Sequence, residues 1–286
     1  MLYTDFKKKT HVDKRKTGSP CESRLVSFLS DLNLSNTGNF RNNFSECLGQ
    51  MFHLKGTVEL SSVLESPLPK RLEPPSKSTE TARNTFLAMQ TDLVRFVAKS
   101  FLPTYARVQN RLPNSEALHA HGFRAGIFPK DPGKKSEPYA VLYEPYRKFY
   151  ASLQRTVDIK VRRVRSDIRE MISCLSPELA KLARLDRGFE DAMAGVPQES
   201  LARVPIFLEK RFCDLLDNHW HEIPDNPGPE DLGQWMSPGA WVSAFCSDMR
   251  ELFFAELEVR LQPVLGMIES LPQPGTAKLQ GRSPRL

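Results

Sequence analysis

Between Trp241 and Leu271 the chain carries its longest apolar period, and no other stretch restricts the fold as much. Apolar residues recur at Trp241, Phe245, Met249, Leu252, Phe253, Leu257, Leu261, Val264, Leu265, Ile268 and Leu271. Steps of three and four are the repeat of one helix face, and Asp248, Arg250, Glu251, Glu258 and Gln262 fall on the other side. At the α-helical rise such a run spans about 45 Å, enough to cross a whole domain. Ser237-Pro238-Gly239 precedes it: a serine can cap the first free N–H groups, and a proline fits the first turn. The expected helix therefore covers 238–271, with a kink at Pro263, which cannot donate to the carbonyl of Val259.

A helix of that length needs partners, and the rest of the chain supplies helical periods rather than strands. The sequence has no apolar–polar alternation of useful length and no Asn-Gly or Asp-Gly hairpin turn. The reading is all-α: an elongated bundle of about six to seven helices, two of them long, at about 145–175 and 238–271. Pro20 opens a first short helix with Leu25, Phe28, Leu29 and Leu32, and a second runs from Phe44 to Leu64. Residues 66–77, with four prolines, read as a linker. Ser78 or Thr79 caps a third helix facing Ala82, Phe86, Met89, Leu93, Phe96, Val97 and Phe101 inward. Residues 111–138 form the longest irregular stretch. The fourth helix, from Pro145, carries the stripe Tyr146, Tyr150, Leu153, Val157, Val161, Val164, Ile168, Met171 and Leu175. Ser176-Pro177-Glu178 starts a fifth with Leu179, Leu182, Leu185, Phe189 and Met193 inward. A sixth follows with Leu201, Val204, Leu208, Phe212 and Leu215, and residues 222–236 are a proline-rich loop. With 286 residues and 40% hydrophobic content, the chain reads as one helical domain over 19–271, with a possible division at 66–77.

The net charge of +6 points to an anionic partner until its distribution is followed. Residues 1–18 carry six basic and two acidic side chains, a net of +4, and residues 277–286 add +3. The body between them is then 6 − 7 = −1, so the basicity belongs to two tails, 1–18 and 272–286, whose composition predicts disorder. Cys21, Cys47, Cys174, Cys213 and Cys246 are odd in number and without a C-x-x-C pair, which favours a reducing cytoplasm over a disulfide framework. No uncharged apolar run is long enough to span a bilayer, and the charged N-terminus lacks the apolar core of a secretion signal.

Three groups of residues could carry function. Lys148, Arg155, Arg162 and Arg169 are spaced by seven on the fourth helix, with Arg165 on the same side. They form a basic ridge that could follow a phosphate backbone or an acidic partner, or be a solvated face paired with Asp158, Asp167 and Glu170. His119-Ala120-His121 and His219-Trp220-His221 would each aim two imidazoles one way in extended backbone, as a metal site needs. Trp220, Trp235 and Trp241 lie close in sequence around the 222–236 loop, either as a docking patch or as a cap on the bundle end. No Ser/His/Asp arrangement, glycine-rich phosphate loop or H-E-x-x-H motif is present, so no catalytic or cofactor-binding residue is assigned.

Four runs carry a resemblance. They are Ser23–Val26, Phe44–Gln50, Val204–Phe212, and Asp248-Met249-Arg250 with Glu256–Gly266. Together they resemble an uncharacterised proteobacterial family known only as a domain of unknown function, over nearly the whole chain, with Met51 and Leu54 where that family often has tryptophan. The resemblance implies a bacterial, cytoplasmic protein with no assigned site residues. Genes of that family often neighbour envelope proteins of the outer-membrane-protein-A type and membrane-embedded components, so the resemblance implies an envelope-associated partner. The leading expectation is a non-enzymatic scaffold or adaptor acting through protein–protein contacts, with homo-oligomers possible along the long stripes. The alternatives are a nucleic-acid-binding protein using the tails and the Lys148–Arg169 ridge, and a metal-dependent enzyme using the histidine pairs.

Overall fold

The computed structural model of the chain describes residues 61–67, 78–102, 111–128, 139–192, 201, 204–222 and 224–272. The expected first helix, most of the second, residues 68–77 of the linker and both basic tails, apart from Pro272, lie outside these residues. Among the described residues every regular element is helical. In chain order they are α1 (Thr79–Ser100), α2 (Ser115–Arg124), α3 (Tyr139–Ser173), α4 (Pro177–Ala192), α5 (Val204–His219), a 3-10 turn (Trp220–Glu222), α6 (Pro229–Trp235) and α7 (Trp241–Glu269). Residues 61–65, at the end of the expected second helix, are helical as well.

The cap signals hold at two starts. Ser78 accepts from the Thr81 N–H at 3.1 Å to begin α1, and Ser176 accepts from the Leu179 N–H at 3.2 Å to begin α4. At α7 the expectation fails. Gly239 has φ +90°, a left-handed conformation that glycine tolerates and a helix interior does not, so Ser237–Ala240 form a turn. The N–H of Ala240 donates to the Ser237 carbonyl at 2.9 Å, and Ala240, not Ser237, stands at the cap position. Pro263 lies inside α7 without ending it.

Helix α3 starts at Tyr139, earlier than the expected Pro145, which sits within it. Leu142 and Tyr143 are already buried on the stripe that Tyr146 continues. Burying each is worth about 1.5–3 kcal/mol, together more than the one backbone bond the proline forgoes. Two expected loops also contain helices. Within 111–138, Asn114 caps α2 by accepting from the Ala117 N–H at 3.0 Å. Within 222–236, Asp231 accepts from the Gly228 N–H at 2.8 Å and closes the first turn of α6.

Contacts fix the directions. Tyr143 meets Phe245 and Tyr150 meets Phe253, so α3 and α7 run parallel. Phe101 meets Phe149 while Lys160 lies over Phe96, which sets α1 antiparallel to α3. The Arg83 guanidinium donates to the Leu271 carbonyl at 2.8 Å at the far end of the same bundle. Helices α4 and α5 return antiparallel to α3, the former through the short connection at Ser176. Both long helices touch α1, α4 and α5, and together they form the spine. The short α2 and α6 pack on each other, with α2 against α3 and α6 against α7. An aromatic cluster fills this region: Tyr143, Tyr146, Phe212, Phe245 and Trp241, with ring centroids 5.2–6.2 Å apart.

Candidate functional site: a buried carboxylate between the long helices

Glu256 lies on the inward face of α7, three and four residues past Phe253 and Leu252 and beside Leu257. A carboxyl group there leaves water entirely, and Glu256 is 0% exposed. Desolvation of such a group costs several kcal/mol unless partners offset it. The partners are present. Tyr150 on α3 donates its hydroxyl to Glu256 Oε1 at 2.6 Å. Gln154, one turn later, places Nε2 at 3.1 Å from Oε1 and 3.0 Å from Oε2. Arg260, one turn later on α7, donates from Nη1 to Oε2 at 2.6 Å. Gln154 Nε2 also lies 3.2 Å from the carbonyl oxygen of Leu201, just before α5. One cluster thus ties α3, α7 and the entry to α5 together.

Among the described residues, the groups that hydrogen-bond to the Glu256 oxygens, from Tyr150, Gln154 and Arg260, are all donors. Burial, then the Glu256 charge and its hydrogen bond, push the Tyr150 phenol well above its ordinary range. Tyr150 therefore stays neutral and remains a donor. Arg260 brings the compensating positive charge from the same helix, so the pair enters the spine as a neutral unit. Charge-assisted hydrogen bonds contribute about 1.5–3 kcal/mol each, so three donors offset a several-kcal/mol desolvation cost. Both oxygens are occupied within the cluster, and neither faces solvent. The cluster thus joins α3 to α7 through side chains withdrawn from solvent.

The expected basic ridge is divided. Arg165 forks onto Asp186 of α4 at 2.9 and 2.7 Å, and Arg169 meets Glu190 at 2.6 Å. Their side chains are only 13% and 12% exposed, so these two arginines hold α3 to α4 and leave the ridge. Lys148, Arg155 and Arg162 stay exposed, with Glu144 3.5 Å from Lys148 and Asp158 2.8 Å from Arg162. Arg163 is exposed too, 3.9 Å from Asp167. Residues 155, 162 and 169 share one side of α3, so the division runs along its axis: α4 folds back over the end that holds Arg165 and Arg169, whereas Lys148, Arg155 and Arg162 stay exposed.

The histidine pairs do not have the geometry expected of extended backbone. His119 and His121 both lie within α2, where a two-residue step turns about 200° and sends the rings apart. His119 stacks on Phe123 with centroids 6.4 Å apart. His219 ends α5 with Nδ1 2.8 Å from the Leu215 carbonyl oxygen and stacks on Trp241, while exposed His221 is in the 3-10 turn. Among the described residues, no group of three or more His, Cys, Asp or Glu is placed to hold a metal ion. The tryptophans do gather: Trp241 is buried, Trp235 packs on it at 5.3 Å, and Trp220 is partly buried against the core.

One surface feature adjoins the exposed part of the ridge. A cleft of about 190 Å³ lies between α1 and α3, floored by Met89, Leu93 and Val164 and rimmed by Asp92, Lys160, Arg163 and Asp167. Among the described residues no helix is long and apolar enough to cross a membrane.

These features define an all-helical bundle whose two longest helices run parallel and are joined through a buried, fully partnered carboxylate. The chain belongs to the family described as protein of unknown function, DUF3348, whose pattern matches residues 12–273. Among curated proteins and among solved structures, nothing matches the chain.

Proposed function

We propose that this protein is a non-enzymatic helical scaffold or adaptor that works through contacts with other proteins. The observation that carries the reading is the state of Glu256: the one fully buried acid among the described residues has both oxygens engaged by Tyr150, Gln154 and Arg260. A reacting acid or base needs a free position within reach of a substrate. This one is used to hold two helices. What the fold presents outward is charge and isolated apolar side chains, such as Ile159, 70% exposed among arginines. A bacterial, cytoplasmic setting and an envelope-associated partner belong to the same proposal and rest on the resemblance of the sequence runs.

The test is affinity capture of the full chain from its native host, followed by reconstitution of each captured protein with purified chain. The reading predicts a stoichiometric protein complex that survives nuclease and chelator. Loss of the complex on nuclease treatment would support a nucleic-acid-binding protein instead, and loss on chelation a metal-dependent one.

A further inference from the structure

We draw no further inference here: the strongest candidate, the apolar-floored cleft between α1 and α3, has a charge-balanced rim, with Asp92 and Asp167 against Lys160 and Arg163, and nothing in the structure shows what covers it.

Discussion

The hydroxyl of Tyr150 on α3 donates to the carboxylate of Glu256 on α7 across 2.6 Å, with both side chains withdrawn from solvent. Four residues earlier on the same helix, the hydroxyl of Tyr146 is equally buried and has no hydrogen-bond partner among the described residues. Two tyrosines one turn apart thus occupy opposite energetic situations. In one the polar atom is used to join the spine, and in the other it is carried at a cost of about 1–3 kcal/mol.

The divided ridge predicts unequal responses to charge reversal. Arg155→Glu and Arg162→Glu alter exposed side chains and should shift stability by about 0.5 kcal/mol or less. Arg169→Glu places an acid against Asp186 and Glu190 at a half-buried helix contact, and should cost on the order of 3 kcal/mol. Urea titrations of the three variants measure this. Equal effects would mean that Arg169 belongs to the solvated face after all.

Two helical glycines should behave oppositely on substitution by alanine. A Cβ at Gly122 would stand 2.5 Å from Phe128 Cε2 and 3.0 Å from Leu142 Cδ2, both buried side chains. Gly122→Ala should therefore destabilise by about 1–3 kcal/mol through overpacking. At Gly266 a Cβ meets nothing within 4 Å, so Gly266→Ala should raise stability by roughly 0.5–1 kcal/mol through helix propensity. Thermal melts of both variants decide the point.

Alkali should unfold the domain from within. Burial pushes the Cys246 thiol from 9.0 up to about 12, and burial together with nearby acids pushes Cys213 up to about 11. Tyr146 and Tyr150 are raised well above 10.0, chiefly by burial. Each group keeps its proton in the folded state after the unfolded chain has released it. Its contribution is therefore complete below the unfolded value and is lost as pH rises through the folded one. For Cys246 that window is 9.0 to about 12, with the tyrosines joining above 10.0. Melting temperature should fall across this range, and Cys246→Ala should flatten the part below 10.0. An unchanged slope in that variant would show that the thiol does not contribute.

Apolar spacing alone made both spine helices legible, because a stripe such as Tyr150–Leu153–Val157 needs only the helical period to be recognised. The short helices were hidden. Asn114 and Asp231 are ordinary cap residues, but α2 and α6 bury few side chains and owe their stability to packing on each other and on the spine. Glu256 was missed for a different reason. Its spacing from Leu252 and Phe253 puts it on the apolar stripe, yet polarity directs attention outward; the available signal was a charged residue in register with the stripe and an arginine four residues on. Arg165 and Arg169 could be placed on a helix side but not beside Asp186 and Glu190, since that pairing depends on how α4 folds back.

The most direct test of the claim that Glu256 is a structural latch is a urea-titration cycle at neutral pH over Tyr150→Phe, Glu256→Gln and their double variant, with Tyr146→Phe as the internal reference. Tyr150→Phe and Glu256→Gln should each cost about 1.5–3 kcal/mol, with a coupling of about 1 kcal/mol or more between them. Tyr146→Phe should be neutral or stabilising. If Glu256→Gln instead leaves the protein as stable as the parent or more so, the buried carboxylate is not there to hold the helices, and the account is contradicted.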